Sequence, residues 1–541
     1  MNTQYRTLAV AAAIFLAPLP LARAQAVNVP PAAGLKFEVS FSKAAHAAPI
    51  TGRVYVAISR TFDGTRTPIA QTGETGSPLF GLNIVDLAPG AAAVIDARTF
   101  GHPVQSLRDI PAGEYWVQPF VNVYTRFARA DGKTVWLHMD QWEGQNWKTS
   151  PGNIFGDPVK ITYNPRATTP IKLVANKVIP EIKVAADSGN VRRIKIQSSI
   201  LSKWWGAPIY LGAVVLLPKD YDKHPEAKYP VVYNEGHFSL RAPGVGSTPF
   251  WNADGTPRMI VVTLQHPSPY YDDSYGVNSA NNGPFGDAIM QELIPEVEKK
   301  FRVIGQPWAR LLTGGSTGGW IALAKQVFYP EFYGGTWSLC PDAVDFRYHQ
   351  IVNVYSDTNA YWFQKDWTRV ERPTQRKPDG NISAMMKDEN WYELAVGDKS
   401  RSGGQWDIWE ATFGLTDAEG YPQRIWDKRT GKIDPNVAAY WKEHYDLRSI
   451  MEKNWATLGP KLANKVNVYV GDADSYYLNM GVHLLDESLK KMTAPKFGGE
   501  IVFQPMAPHC WGPPMNELMV KMTAHMEKFA PAGADLKSWR Y

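Results

Sequence analysis

The chain has 541 residues, of which 44% are hydrophobic and 20% are charged, the proportions of a soluble globular protein. This length predicts more than one domain and leaves room for large cores. A formal charge of +5 is too small to indicate a nucleic acid or another polyanion as partner.

The first 26 residues have the pattern of a secretory signal peptide. Arg6 provides the positive start, Leu8 to Leu21 is apolar, and the small residues Ala22, Ala24 and Ala26 offer cleavage sites. No paired arginines precede the apolar stretch, so we expect Sec-type export, and a periplasmic or secreted protein. An uncleaved anchor is the alternative. No later stretch is apolar over about 20 residues, so no membrane span is expected in the mature chain.

Residues 27–190 predict an N-terminal all-β sandwich domain, because short segments alternate polar and apolar residues between Pro and Gly clusters. The expected strands are Lys36–Phe41, Arg53–Ile58, Tyr115–Tyr124 and Val159–Tyr163. Residues 165–190 fit either a last strand or a linker. Trp136, Trp142 and Trp147 are expected to pack a hairpin or a domain interface, with a carbohydrate platform as the alternative.

Residues 191–541 predict a mostly parallel sheet with helices on both faces, because apolar strand segments alternate with helical ones. The expected strands lie at 193–199, 209–217, 229–234, 259–264, 309–312, 335–339, 466–470 and 500–504, and the expected helices at 288–301, 320–325, 482–491 and 516–529. The alternation lapses at 342–464, which we interpret as a cap or lid insertion and name the cap segment.

Gly314, Ser316 and Gly318 form a Gly-x-Ser-x-Gly motif between an expected strand and an expected helix. This is the context of a nucleophile elbow, in which the serine lies on a strained turn. Glycine is needed on either side because neighbouring backbones pass close to the turn. The motif therefore predicts that Ser316 is a catalytic nucleophile.

A serine nucleophile needs a histidine to take its proton and a carboxylate to orient that histidine. Asp472 and Asp474 directly follow the strand that ends at Val470, and His509 follows the strand that ends near Gln504. We predict Asp474 and His509 as the partners, because the fourth residue of a Gly-x-x-Asp turn reaches the upper edge of the sheet. Helix capping by Asp474 and a surface position for His509 are the structural alternatives.

Two backbone N–H groups are expected to bind the oxyanion. The first is that of Thr317, directly after the nucleophile. The second is that of His237, in the loop after the 229–234 strand, where its side chain is expected to be a pocket wall. Asp342 and Asp345 lie near this site and are expected to cap a helix, with substrate orientation or lid attachment as alternatives.

These motifs resemble the putative esterase family of α/β-hydrolases, which includes esterase D, enterochelin esterases, feruloyl esterases and the mycolyltransferases. The matching residues are Tyr229–Tyr233, Gly236, Glu292–Pro295, Gly314–Gly319, Pro330–Phe332, Gly471 with Asp474, and His509 with Trp511. The resemblance covers about 190–340 and 464–530. It implies an α/β-hydrolase fold and cofactor-free acyl transfer through Ser316. The departures are the cap segment and Pro508, where relatives have glycine.

The resemblance also places Cys340 and Cys510 at the same edge of the sheet, which implies a disulfide beside His509. Two buried thiols are the alternative. Two cysteines without CxxC spacing make no zinc site, and we expect neither a metal nor a cofactor.

The sequence thus predicts an exported serine hydrolase that cleaves a small-molecule or saccharide-linked carboxylic ester. A serine peptidase or an acyltransferase on the same fold is an alternative, because the three side chains do not choose the acceptor. A carbohydrate-binding protein with an inactive hydrolase domain is another. The sequence predicts no oligomeric state.

Overall fold

The computed structural model describes residues 34–140, 142–144, 146–271 and 274–541. The predicted signal peptide, residues 1–26, lies outside these ranges. Within them, no helix is both long and apolar enough to cross a membrane.

The first 150 or so described residues contain strands and short 3-10 turns but no α-helix. The strands are β1 (Phe37–Phe41), β2 (Ile50–Ser59), β3 (Leu79–Leu87), β4 (Ala93–Ile95), β5 (Gly101–His102), β6 (Gly113–Val123), β7 (Thr125–Ala128), β8 (Thr134–Leu137), β9 (Ile154–Phe155), β10 (Val159–Tyr163), β11 (Ile171–Ala175) and β12 (Lys177–Val178). One sheet has the order β11-β1-β4, the other β12-β9-β6-β2-β3-β5 with β10 on β6, and β7 pairs with β8.

The two larger sheets of this region share one core. Strand β1 buries alternate residues, as its sequence pattern predicts, and these pack with buried side chains of β2 and β6. Of the two interpretations of residues 165–190, a strand applies to β11, which pairs in parallel with β1, and residues 179–190 form no named strand.

An eight-stranded sheet dominates the rest of the chain. Its strands are β13 (Val191–Ser198), β14 (Ile209–Leu216), β15 (Val231–Glu235), β16 (Ile260–Gln265), β19 (Arg310–Gly315), β20 (Gly335–Leu339), β25 (Val466–Gly471) and β26 (Glu500–Gln504); β17 (Asn278–Ser279) and β18 (Gly283–Pro284) form a separate small ladder. The order is β13-β14-β16-β15-β19-β20-β25-β26, with β16 to β26 parallel. Carboxyl ends of parallel strands meet at one edge, so the loops after β15, β19, β20, β25 and β26 converge there.

Helices cover both faces of this sheet. They are α1 (Ser199–Trp205), α2 (Pro249–Asn252), α3 (Phe285–Ala288), α4 (Ile294–Lys300), α5 (Thr317–Phe328), α11 (Asn479–Lys490) and α12 (Met515–Phe529). A π-helical stretch, Ile289–Leu293, joins α3 to α4. Helix α5 is buried over almost its whole surface, because the sheet lies on one side and the cap segment on the other.

The cap segment folds into two β-hairpins and five helices. These are β21 (Trp362–Lys365) with β22 (Thr368–Glu371), β23 (Pro373–Arg376) with β24 (Ile382–Met385), α6 (Met386–Val396), α7 (Gln405–Phe413), α8 (Pro435–His444), α9 (Leu447–Lys453) and α10 (Trp455–Leu462). The hairpins were not predicted because β21 and β22 are mostly exposed and none of the four strands alternates buried with exposed residues. Trp406, Trp409, Trp426 and Trp441 are buried in the core that packs on α5.

Candidate active site

Ser316 lies on the tight turn between β19 and α5. Its backbone has φ 57° and ψ −124°, an unusual conformation for a residue with a side chain. A Cβ on Gly318 would lie 2.1 Å from the carbonyl oxygen of Glu235, and one on Gly314 would lie 2.4 Å from the carbonyl oxygen of Gly318. The strand–turn–helix context and the close backbone approach expected from the motif are therefore both present.

Three predicted residues from distant parts of the chain form a hydrogen-bonded row. His509 Nε2 lies 3.0 Å from Ser316 Oγ, and His509 Nδ1 lies 2.7 Å from Asp474 Oδ2. The Asp474 carboxylate is fully buried, whereas the His509 side chain is 17% exposed. An imidazole placed in this way can take the serine proton while the carboxylate stabilises the resulting charge.

The structure distinguishes between the two candidate aspartates. Asp474 Oδ1 accepts hydrogen bonds from the backbone N–H groups of Tyr476 and Leu478, which leaves Oδ2 directed at His509. Asp472 instead lies near the surface, where its carboxylate bonds His483 at 2.8 Å. The helix-capping alternative for Asp474 is wrong, because α11 begins at Asn479 with no side-chain cap and the two N–H groups bonded by Asp474 belong to the turn before the helix.

A disulfide joins Cys340, at the end of β20, to Cys510, next to His509. The Ser316 N–H points at Cys340 Sγ, 3.2 Å away. The bond therefore ties the loop that carries His509 to the strand beside the elbow. Cys340, His509 and Cys510 bring possible metal-ligand atoms within 4.8 Å of one another, but both sulfurs are used in the disulfide and offer no thiolate.

The predicted oxyanion donors lie at the same edge of the sheet. Thr317 is the first residue of α5, so its N–H has no carbonyl partner within the helix and lies at the positive end of the helix dipole. His237 comes two residues after β15 ends and lines the same cavity as Ser316 and His509.

The prediction that Asp342 caps a helix is wrong. Its Oδ2 accepts hydrogen bonds from Tyr275 Oη at 2.6 Å and Thr317 Oγ1 at 3.0 Å, and its Oδ1 lies 3.5 Å from Ser316 Oγ. Asp345 does cap the following 3-10 turn and also pairs with Arg448. The pattern around Cys340 did not distinguish these two aspartates, because both follow the same strand and the direction of each side chain depends on the loop.

Burial raises the pKa of Asp342, while hydrogen bonds from Tyr275 and Thr317 act in the opposite direction. Gln405 and Trp409 of α7 extend the network, since both donate to Tyr275 Oη. The network therefore connects the cap segment to the first turn of α5.

Ser316 and His509 open into a cavity of about 560 Å³. Its walls come from three regions: the N-terminal strands with their loops, the sheet edge, and the cap segment. They include Glu74, Trp147, Lys148, His237, Gln350, Gln375, Glu389, Tyr392, Gln405, Trp406, Trp409 and Tyr476. Trp147 thus faces the cavity. The ring of Trp142 instead packs 5.2 Å from that of Phe238, where the N-terminal region contacts the loop after β15.

Two carboxylates of this cavity, Glu74 and Glu389, influence each other. Burial raises the pKa of Glu74 to about 7, with a further contribution from the charge of Glu389. Burial likewise raises the pKa of Glu389, although Thr374, Gln375 and Trp406 donate hydrogen bonds to it. Neither carboxylate forms an ion pair with a Lys or Arg of the described ranges. Neither carboxylate could be predicted as a site residue, because Glu74 lies in a loop and Glu389 lies on α6, a helix of low amphipathicity.

One family model matches this chain. The family model described as "Putative esterase" matches residues 210–483, just over half of the chain; His509 lies beyond the matched range. No curated protein matches significantly.

Solved structures that match include a ferulic acid esterase (16% identity, TM-score 0.33, 62% of this chain and 98% of that one). An S-formylglutathione hydrolase from Agrobacterium tumefaciens matches with 13% identity and a TM-score of 0.36, over 64% of this chain and 98% of that one. A fluorophosphonate-binding serine hydrolase of Staphylococcus aureus matches with 12% identity and a TM-score of 0.34, over 62% and 99%. By its family match the chain belongs to the putative esterase family, and it is a carboxylic ester hydrolase with an α/β-hydrolase fold.

Proposed function

We propose that this protein is an exported serine esterase that works through an acyl-enzyme on Ser316. The observation that carries the proposal is the row Asp474–His509–Ser316, with separations of 2.7 and 3.0 Å between the bonded atoms. Those distances are within proton-transfer reach without any rearrangement of the site.

In the first half-reaction, Ser316 Oγ attacks the ester carbonyl carbon and His509 Nε2 takes the serine proton. The carbonyl oxygen becomes negative, and the N–H groups of Thr317 and His237 donate hydrogen bonds to it. The intermediate collapses when His509 gives its proton to the leaving alcohol. Water then repeats the sequence on the acyl-enzyme, which releases the carboxylic acid and restores Ser316.

Asp474 is buried and acts as the orienting acid. Its Oδ2 accepts from His509 Nδ1, which leaves Nε2 directed at the serine and stabilises the imidazolium that forms in each half-reaction. Apart from the substrate and the attacking water, all of these steps use protein groups, so the proposal involves neither a cofactor nor a metal.

The proposal assigns the selection of substrate to the parts of the chain outside the sheet. In this proposal the region predicted at 27–190 is a β-sandwich domain, and its described loops carry Glu74, Trp147 and Lys148 to the cavity. The cap segment covers the other side. A cavity of about 560 Å³ with aromatic and polar walls suits a small-molecule or saccharide-linked ester.

Export through the signal peptide predicted at 1–26 completes the proposal. A disulfide between Cys340 and Cys510 supports an oxidising compartment such as the periplasm or the extracellular medium. Detection of mature chain in a periplasmic or culture-medium fraction, with a new N-terminus near residue 27, tests this part; retention of residues 1–26 on a membrane contradicts it.

A fluorophosphonate probe tests the central assignment. We expect one probe per chain on the peptide that contains Ser316, no labelling of Ser316→Ala, and normal labelling of Ser247→Ala, a surface serine that bonds only a local carbonyl. Parallel turnover assays on p-nitrophenyl, cinnamoyl and acetyl-sugar esters and on matched amides assign the reaction. Faster cleavage of amides would favour a peptidase, and polysaccharide binding without labelling would favour the carbohydrate-binding alternative.

A further inference from the structure

Asp342 is the one carboxylate of the described residues within 3.5 Å of Ser316 Oγ, and the proposed mechanism gives it no role. It is 4% exposed and lines the cavity. No Lys or Arg of the described ranges forms an ion pair with it. A buried carboxylate costs free energy unless hydrogen-bond donors or positive charges satisfy it, and the charges of His237 and His509 lower the pKa of Asp342 as its hydrogen bonds do.

The donors to Asp342 are unevenly distributed between its two oxygens. Oδ2 accepts hydrogen bonds from Tyr275 Oη and Thr317 Oγ1, and Trp409 Nε1 lies 3.3 Å from the same oxygen. Among the described residues, the donor nearest to Oδ1 is Ser316 Oγ, at 3.5 Å. The single proton of that hydroxyl is needed by His509, at 3.0 Å, so Oδ1 lacks a donor when the serine is ready to attack.

The position of Asp342 indicates which part of a substrate reaches it. It is bonded to Thr317, on the side of the nucleophile where the ester carbonyl oxygen binds in the proposed mechanism. Once Ser316 Oγ is bonded to the acyl carbon, a substituent on the next carbon lies about 3 Å from Oγ. Because Oδ1 lies 3.5 Å from Oγ, such a group comes within hydrogen-bonding distance of Oδ1 when it is directed toward Asp342.

We propose that Asp342 selects esters whose acyl group carries a hydrogen-bond donor on the carbon next to the scissile carbonyl. This donor is a hydroxyl or an ammonium group, and the inference rests on the proposed function. Asp342 Oδ1 accepts that hydrogen bond. The donor then replaces the missing partner of a buried carboxylate, which makes the unsubstituted acyl group the poorer substrate.

The rest of the cavity agrees with a donor-bearing acyl group. Glu74 and Glu389 add two carboxylates with no described basic partner, and Glu389 is held in place by hydrogen bonds from Thr374, Gln375 and Trp406. A longer acyl chain with further hydroxyl or amino groups would meet acceptors along this wall. Trp147 and Tyr392 offer apolar faces beside them.

The test compares methyl esters of lactate, alanine and propionate, which differ only in the group next to the carbonyl. For the unmodified enzyme, each kcat/KM is divided by the rate of hydroxide-catalysed hydrolysis of the same ester, which removes intrinsic reactivity. We expect lactate or alanine to exceed propionate by about tenfold or more, the effect of a hydrogen bond to a charged group. Preference for alanine identifies a cationic donor, and preference for lactate a neutral one. A corrected ratio near one overturns the inference.

Asp342→Ala and the near-isosteric Asp342→Asn provide the second readout. We expect the corrected ratio to fall toward one in both, and a ratio within twofold of the unmodified enzyme contradicts the inference. Fluorophosphonate labelling of Ser316 in each variant separates the two proposals. Labelling with an unaltered ratio refutes the role of Asp342 alone, whereas an unmodified enzyme that neither labels nor hydrolyses any ester refutes the proposed function.

Discussion

The two sides of the cavity are built differently. At the sheet edge, backbone geometry positions the groups: a strained serine, glycines in contact with neighbouring carbonyls, and a disulfide next to His509. On the opposite side, loops of the N-terminal strands and helices of the cap segment present carboxylates and amides held by side-chain hydrogen bonds. The first side tolerates little change, whereas the second can change residue by residue.

This difference separates chemistry from selectivity. Residues that would move protons come from the ends of β19, β25 and β26, which any α/β-hydrolase sheet brings together. Residues that would choose the substrate come from segments that lie outside the sheet. Variants at the sheet edge should therefore abolish turnover or folding, and variants on the opposite wall should shift preference or pH dependence.

The largest expected effect is at the orienting acid. Asp474→Asn keeps the shape of the side chain but presents the wrong hydrogen-bonding pattern to His509, so we expect kcat to fall by about four orders of magnitude. Asp472→Asn, in the same turn, is the matched control and should stay within about threefold, because its carboxylate bonds only His483 and Asn479. Steady-state kinetics on one activated ester measures both. Equal losses in the two variants would contradict the choice of Asp474.

Removal of the disulfide tests how much this cross-link stabilises the fold. Cys510→Ser removes a bond between residues 170 positions apart and should lower the free energy of unfolding by about 2–4 kcal/mol. Guanidinium unfolding followed by tryptophan fluorescence measures the change. Dithiothreitol should destabilise the unmodified protein and have no further effect on the variant. Two titratable thiols in the unreduced, denatured protein would show that the bond does not form.

A glycine of the elbow tests the close backbone approach. The Cβ of Gly318→Ala would lie 2.1 Å from the Glu235 carbonyl oxygen, so the backbone must shift, at a cost of about 1–3 kcal/mol in unfolding free energy. Gly244→Ala is the control, since no atom lies within 4 Å of the added Cβ. Thermal unfolding of the two variants should separate them by several degrees. Identical midpoints would show that the elbow is more open than described.

The smallest expected effect is on the opposite wall. Because burial raises the pKa of Glu74 to about 7, the folded protein binds a proton there more tightly than the unfolded chain does. This group therefore stabilises the fold less as pH rises from about 4.5 to about 7. Glu74→Gln should be as stable as the unmodified protein near pH 4 and more stable near pH 8. Thermal unfolding midpoints of both proteins across this pH range measure the difference. A constant difference between the two midpoints at all pH values would show that Glu74 does not cause the pH dependence.

The sequence predicted the sheet edge well for a physical reason. The elbow requires glycines at fixed offsets from Ser316, and the strand periodicity places Asp474 and His509 at the carboxyl ends of their strands. Strands 159–163, 335–339 and 500–504 have the predicted bounds, while the other predicted strands differ by one to three residues at one or both ends. The mostly parallel sheet follows from the alternation of strands and helices, whereas the α/β-hydrolase fold was implied by the family resemblance.

The opposite wall could not be predicted in this way. Glu74, Glu389 and Gln405 lie on three separate elements, and their meeting depends on how the cap segment packs against the N-terminal strands. No residue spacing encodes that packing. The position of Asp342 shortly after Cys340 places it near the site, but its hydrogen bonds to Tyr275 and Thr317 depend on the loop conformation.

Trapping of the acyl-enzyme tests the central claim most directly. The unmodified protein is mixed with excess activated ester, quenched with acid within milliseconds, digested and analysed by mass spectrometry. The account predicts one acyl group on the peptide that contains Ser316, its accumulation in His509→Ala only at a strongly reduced rate, and its absence in Ser316→Ala. Ester turnover by Ser316→Ala at the rate of the unmodified protein, or an acyl group on another residue, would contradict it.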